Sequence, residues 1–291
     1  MEIKWIQTFV IAAKYENFRK AADELFLTQP AVTKHIKRLE ESIDTLLFER
    51  IGTKISLTAA GREFLMFASE LVSTYEKGMQ NFESWKQGFN RKLIIATAPQ
   101  IASSFLPSLL RTFTKGNPGI EVIINVLKSY EIGEEVSAGR ADIGLTRIRP
   151  VQLSLKCELV HEEPVLFVGP HHSEDEESVT EEQILQKYRL ITDNHPDYWE
   201  RLLAQVKKHY PLVKTMTVNQ VEVSKRFIEE GLGVSFLPVS MVQEDIVAHR
   251  LIDLNPEKII PPTSSTYILS KIETEEAKAF IQYIKEAITM L

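Results

Sequence analysis

Apolar residues recur at steps of three and four from Trp5 to Ile43, and that spacing predicts helices. Trp5, Phe9 and Ala12-Ala13 form the stripe of a first helix. Asn17 is placed to cap a second helix, 18–25, and Phe26-Leu27-Thr28 reads as a turn. Thr28 or Gln29 then caps a third helix with Pro30 in its first turn, where a missing N–H costs nothing. In that helix Val32, Ile36, Leu39 and Ile43 face inward, leaving Gln29, Thr33, Lys34, Lys37 and Arg38 outside. Leu47-Phe48-Glu49-Arg50 and Ile55-Ser56-Leu57 read as a small hairpin around Gly52. From Thr58, the expected N-cap, to about Gly88 the pattern is one long helix. Phe64, Ala68, Leu71, Tyr75, Gly78, Phe82 and Trp85 alternate at steps of four and three, a heptad seam suited to pairing with another chain. Packing on the chain's own C-terminal part is the alternative.

Beyond Lys92 the period changes. Short runs rich in Val and Ile at 93–97, 120–126, 142–146, 165–169, 189–192, 215–219, 234–237 and 265–270 read as strands. Helical stretches at 105–115, 180–187, 198–209 and 274–290 separate them. Alternation of this kind predicts βαβ units around a largely parallel sheet, and the length suits two lobes with a cleft between them.

The chain has 291 residues, 44% hydrophobic and 25% charged, enough to bury a sizeable core without disulfides or metal. Its one cysteine, Cys157, suits a reducing compartment and reads as a buried, inert thiol. No basic-plus-apolar leader precedes the first helix, and no apolar run nears the ~18 residues of a membrane span, so the expected location is cytoplasmic. The net charge of −6 is unevenly spread. Residues 1–58 hold nine Lys/Arg against eight Asp/Glu, a balance of +1, and the remainder carries −7. Lys34, Lys37, Arg38, Arg50 and Lys54 cluster in this short stretch, whereas acidic runs such as 173–177 lie elsewhere.

A helix-turn-helix needs small residues where its helices cross and polar donors on its second helix. Ala21-Ala22 meet the first need; Gln29, Thr33, Lys34 and Arg38 meet the second. Gln and Arg can bind base edges bidentately, and Thr can donate to a base or a phosphate. Lys37, Arg50 and Lys54 are better placed as phosphate clamps, which give affinity and salt dependence rather than sequence choice. A cationic helix face is more often merely solvated; the joint order of turn, small residues, polar face and wing shifts the balance.

The stretch from Phe18 to Glu40, with Ala21-Ala22, Phe26-Leu27-Thr28-Gln29-Pro30 and Val32-Thr33-Lys34, resembles the N-terminal signature of LysR-type transcriptional regulators. Leu47-Phe48-Glu49-Arg50 and Leu57-Thr58-Ala59-Ala60-Gly61 extend that likeness. A narrower one, to Bacillus citrate-synthase regulators, rests on 193–199 and 225–233. The resemblance implies an α/β chain with an all-α-plus-wing N-terminal domain: a winged helix-turn-helix over 1–58, a dimerising linker helix over 59–90 and an effector-binding domain over 91–291. That domain would comprise two Rossmann-like lobes of the periplasmic-binding-protein type, lobe I about 91–162 plus 266–291 and lobe II about 163–265. It implies promoter DNA contacts at Gln29, Pro30, Thr33 and Lys34, a small-molecule effector and a homodimer or homotetramer. The family often carries Arg where this chain has Lys34, and Lys lacks the planar fork, which puts base readout there in doubt.

Open α/β sheets bind ligands at the carboxyl ends of their strands. Gln100, Ser103 and Ser104 follow the first strand of the third region, Ser129 the second, and Arg147 the third; Asn194 and His195 stand at the equivalent point of the second lobe. Serine hydroxyls and free N–H groups at a strand-to-helix turn would cradle an anion, and Arg147 would suit a carboxylate or phosphate. Against these stand plainer roles: Ser103 and Ser104 as helix caps, Arg147 with Arg149 as a solvated pair, His195 before Pro196 as a turn residue. Gly231-Leu232-Gly233 lacks the third glycine of a dinucleotide fingerprint. No nucleophile elbow or phosphate-binding loop is present, and His171-His172 fits no standard metal spacing, so no cofactor, metal or enzymatic activity is expected. A solute-binding protein would account for 92–291 alone; a two-lobed enzyme lacks a catalytic set. A ligand-gated DNA-binding regulator accounts for every region.

Overall fold

A computed structural model describes residues 1–51, 54–171 and 180–288, with the side chains of Arg50, Ile51 and Lys54 also outside the description. The chain divides into two compact units, Met1–Gly88 and Phe89–Leu291.

In the first unit, α1 (Ile3–Tyr15), α2 (Phe18–Glu24) and α3 (Gln29–Ile43) precede a hairpin of β1 (Phe48–Ile51) and β2 (Lys54–Leu57), then α4 (Ala59–Lys86). The local signals act as expected. The Asn17 side chain accepts from the N–H groups of Arg19 and Lys20, and Thr58 accepts from Gly61. Thr28, not Gln29, caps α3, accepting from the N–H of Ala31. Phe9, Ala12, Ala21, Val32, Ile36, Leu39, Leu47 and Ala68 form one buried core. The Phe48 ring meets Phe9 and Phe18 there, at 5.6 and 5.2 Å between centroids. A Cβ at Gly61 would stand 2.1 Å from the Leu47 carbonyl oxygen, so only glycine lets α4 start this close to the wing.

The seam read along α4 divides in two. Phe64, Ala68 and Leu71 pack into the unit's own core, joined by Leu65 and Val72. Tyr75, Met79, Phe82 and Trp85 stand exposed, the last two at 52% and 64%, with their rings stacked 5.8 Å apart. The first half of the seam therefore closes the headpiece, and its second half stands free of the headpiece core, as do Met66 and Phe67 on another face of the first half.

The second unit runs β3 (Arg91–Thr97), α5 (Pro99–Ser103), α6 (Leu106–Gly116), β4 (Ile120–Val126), α7 (Ser129–Ser137), β5 (Ile143–Thr146) and β6 (Lys156–Pro170). It continues with α8 (Glu181–Lys187), β7 (Arg189–Thr192), α9 (Trp199–His209), β8 (Thr215–Thr217), α10 (Val221–Glu229), β9 (Gly233–Pro238), α11 (Val239–Val247) and β10 (Leu251–Asp253). β11 (Thr263–Ser270) and α12 (Glu275–Ile288) return to the first lobe. Among the described residues the strands follow the order β4-β3-β5-β11-β6-β9-β7-β8, with β10 on β6. β3 pairs β4 and β5 in parallel, and β7 pairs β8 and β9 in parallel. Between these parallel halves β6 and β11 run antiparallel to each other and to their neighbours. The sheet is thus mixed at its middle. The sequence delimits 165–169 as a strand and places Cys157 in an alternating one, whereas β6 runs through both as fifteen unbroken residues, because the stretch between them carries Glu158, His161, Glu162 and Glu163 and lacks a clean apolar run. Leu93, Ile95, Phe113, Ile143 and Phe280 centre one lobe's core. The other lobe packs Phe167, Leu190, Trp199 and Phe236 in one cluster and Ile191, Ile228 and Leu237 in another.

Candidate nucleic-acid interface and ligand cleft

On α3 the apolar stripe Val32, Ile36 and Leu39 is buried, and this orients the opposite face outward. Gln29, Pro30, Thr33, Lys34, Lys37 and Arg38 are all exposed. The first five line one shallow groove of the surface. The Thr33 hydroxyl donates to the Gln29 carbonyl at 3.0 Å, leaving its oxygen lone pairs outward. Lys37 lies 3.7 Å from Glu41 in an exposed pair of little energetic weight. Arg38 lies over the Trp5 ring at 5.7 Å, which restrains its guanidinium. Two features had no signal in the sequence pattern. The Glu40 carboxylate accepts from the N–H groups of Leu47 and Phe48 at 2.8 and 3.1 Å, pinning α3 to the wing. His35 Nδ1 meets the Thr8 hydroxyl at 2.9 Å, and since that hydroxyl donates to the Lys4 carbonyl, the ring nitrogen is the donor. Burial, with Lys4 and Arg38 nearby, pushes the His35 pKa down. Arg50 and Lys54 contribute backbone to the hairpin, where Arg50 pairs Ile55 and Lys54 pairs Ile51. Their side chains lie outside the description, as do His172 and the acidic run 173–177.

In the second unit a cavity of about 380 Å³ opens between the carboxyl ends of the parallel strands of both lobes. Of the effector candidates, Gln100, Ser103, Ser129, Asn194 and His195 line it; Ser104 and Arg147 do not. Lys128, Tyr130, Asp193, Asn219, Gln220 and Glu222, which the sequence reading did not single out as candidates, complete its polar wall. Their signal was position, since each neighbours the start of a helix or the end of a strand.

The geometry reassigns several candidates. Arg147 is fully buried. Its Nη1 donates to Glu163 at 2.9 Å, Thr266 at 2.9 Å and Ser264 at 3.2 Å, while Nε and Nη2 are buried without a partner among the described residues; paired with Glu163 and outside the cavity lining, this guanidinium serves as an internal counter-charge. Burial, opposed by Glu163, draws its pKa down. Ser104 Oγ is buried without a partner among the described residues, and Ser104 stands at the C-terminal end of α5, Phe105 rather than Ser104 being the N-cap of α6. Ser103 spends its proton on the Pro99 carbonyl at 3.0 Å and offers the cleft only an acceptor. His195 is committed twice. Its Nδ1 accepts from the Asp197 N–H at 3.2 Å, which leaves the proton on Nε2, 3.0 Å from Ser264 Oγ. Burial first, then the Arg147 charge, holds its pKa well below the ordinary value, so a neutral ring stacks on Tyr198 at 4.1 Å.

Asn194 holds the second lobe's wall together. Its Nδ2 donates to Ser224 and Ser235, and its Oδ1 accepts from Trp199 Nε1 at 2.7 Å. The Gln100 amide crosses from the first lobe to the Asn194 carbonyl at 2.6 Å. Ser129 opens α7, and its hydroxyl oxygen accepts from the Arg147 N–H at 3.4 Å. Among the described residues no group of His, Cys, Asp and Glu is arranged to hold a metal, and no helix is long and apolar enough to cross a membrane. Cys157 is half-buried, and burial pushes its thiol up.

Residues 3–62 match the model of the bacterial regulatory helix-turn-helix protein, lysR family, and residues 86–289 match the LysR substrate binding domain. The HTH-type transcriptional regulator CitR of Bacillus subtilis is 41% identical over 286 residues, with 98% of each chain covered. The uncharacterized HTH-type transcriptional regulator YxjO of the same organism is 34% identical, with 96% of each covered. Among solved structures, Vibrio fischeri DarR in complex with DNA aligns over 98% of each chain with a TM-score of 0.65 at 20% identity, a likeness of fold.

Proposed function

The chain belongs to the LysR family of bacterial transcriptional regulators, and from that premise we propose that α3 reads operator base pairs while the cleft between the lobes senses a small carboxylate-bearing metabolite. It is a DNA-binding regulator, not an enzyme. One observation carries the DNA reading. The cap at Thr28, the buried stripe of Val32, Ile36 and Leu39 and the Glu40 clamp hold α3 rigidly, with Gln29, Pro30, Thr33 and Lys34 outward on its N-terminal half. That half is the part a recognition helix inserts into the major groove. Gln29 and Thr33 are assigned to base edges, Lys34 to a base or phosphate, and Lys37, Arg38, Arg50 and Lys54 to phosphates.

Residues 1–58 form the reading head, 59–90 the dimerising helix and 91–291 the sensor. The exposed second half of α4 is the pairing surface, which makes the chain a homodimer or a dimer of dimers and presents two reading heads to two half-sites. Arg147 is left out of the ligand's contacts. The carboxylate of the metabolite is assigned instead to the Ser129 hydroxyl and the starts of α7 and α10. A ligand touching both lobes favours one lobe arrangement by its differential affinity, and this is how occupancy reaches the DNA. Cytoplasmic action follows from the DNA target.

The test is binding of full-length protein to DNA fragments from its own promoter region, followed by fluorescence anisotropy. Tight binding to one fragment over random duplex, lost in Gln29→Ala and Thr33→Ala, supports the reading. Equal binding to all duplexes overturns it.

A further inference from the structure

The charges that line the cleft are of mixed sign. Lys128 supplies one cation; Asp193 and Glu222 supply two carboxylates at the rim. Lys225 approaches Glu222 at 3.4 Å from outside the wall, and the Thr192 hydroxyl donates to Asp193. The two groups that would otherwise favour a multiply charged anion are withheld. Arg147 gives its Nη1 to Glu163 and stands outside the cavity lining, its Nε and Nη2 buried without a partner among the described residues, and both ring nitrogens of His195 are in use. A di- or tricarboxylate would meet two carboxylates with one ammonium to offset them.

The wall has a donor side and an acceptor side. On the donor side α7 and α10, nine residues each and from opposite lobes, begin at the cavity, and the α10 N-cap Gln220 makes no side-chain bond to the helix start. Backbone N–H groups there suit one carboxylate. On the acceptor side, Gln100 is only 8% exposed. Its amide orientation is fixed by chemistry, because only Nε2 can face the Asn194 carbonyl oxygen at 2.6 Å. Its Oε1 has no hydrogen-bond partner among the described residues. A buried acceptor of this kind is costly to leave unmade, and no donor of the wall is bonded to it among the described residues. A ligand that carries a donor of its own would supply the missing bond.

We propose that the cleft takes a small α-amino acid, its carboxylate on the helix starts and Ser129, its ammonium between Gln100 Oε1 and the Asp193 carboxylate. This rests on the reading of the cleft as the effector site. The ammonium satisfies the orphaned oxygen and offsets the rim carboxylates in one group, which a hydroxy acid does only in part and a polycarboxylate not at all.

The experiment is calorimetric titration and thermal shift of the full-length protein with the twenty proteinogenic L-α-amino acids, L-lactate, succinate and tricarballylate. The expected result is a rise in Tm with at least one amino acid, whose α-hydroxy counterpart with the same side chain binds about tenfold or more weakly. Asp193→Asn, which keeps a residue tolerant of the positive φ of 67° at that position, and Gln100→Leu should each narrow that preference. A purely structural role for either residue would leave the preference unchanged. Stronger stabilisation by succinate or tricarballylate, or no response to any amino acid, overturns the assignment of ligand class and leaves the regulator reading to its own DNA test. An amino acid that binds with its preference unaltered in both variants overturns this site.

Discussion

At the residue scale, the cationic and amide side chains of α3 carry separable duties. Gln29 stands where it can bond a base edge, so Gln29→Ala should cost ~1–3 kcal/mol of discrimination at one base position of the operator. Lys37 offers a point charge beside an exposed and weak partner. Lys37→Ala should weaken binding to all duplexes alike and reduce the slope of log K against log salt by about one. Anisotropy titrations over a salt series separate the two outcomes. His195 makes a second residue-level prediction. Its folded pKa lies well below the ordinary value, so folding favours the neutral ring. The stabilisation is whole above the unfolded pKa of ~6.5 and is lost as pH falls from there toward the depressed folded value. His195→Gln, which retains a donor for Ser264, should show a shallower fall in Tm between pH 7.5 and 5.5 than the parent protein, roughly the window below that unfolded pKa. Parallel Tm-versus-pH curves for the two proteins would refute the assignment.

At the element scale, α4 shows how one amphipathic helix serves two purposes. Its first turns complete the headpiece core through Ala68 and Val72, and its later turns expose Tyr75, Met79, Phe82 and Trp85. Changing Phe82 and Trp85 together to Lys should leave the unfolding of the headpiece nearly untouched, because neither side chain is packed in it. The same pair of substitutions should shift sedimentation equilibrium toward monomer, since apolar side chains of this size contribute ~1.5–3 kcal/mol each when buried. An unchanged oligomer would assign pairing to another surface. The periodicity of α4 was legible in the sequence; its division was not. A heptad seam looks the same whether it faces a partner or the chain's own core, and only the placement of Phe9 and Phe64, 5.4 Å apart, decides where one ends.

At the scale of the whole effector unit, one buried pair ties four elements. Arg147 follows β5, Glu163 lies in β6, Ser264 and Thr266 in β11, and Ser240 at the start of α11 gives its N–H and hydroxyl to Glu163 at 2.7 and 2.9 Å. His195, on the cleft wall, joins the same group through Ser264. Removing one partner of a buried pair leaves an uncompensated charge. Glu163→Gln should therefore lower stability in urea by ~3–5 kcal/mol. The double change Arg147→Met with Glu163→Leu should recover most of that loss, because it removes the buried charge altogether. A double variant less stable than Glu163→Gln alone would show that the pair contributes more than mutual neutralisation.

The sequence by itself determined the local structure: helix periods, caps at Asn17 and Thr58, the outward face of α3 and the βα alternation of the lobes. These follow from interactions within a few residues, which leave a period and a cap in the chain. Tertiary structure alone decided the chemistry of the cleft. Arg147 reads as an exposed cation until Glu163, sixteen residues on, closes over it, and Gln100 is drawn to Asn194, ninety-four residues away. Burial and pairing across such separations set charge state and hydrogen-bond supply, and no local pattern encodes them.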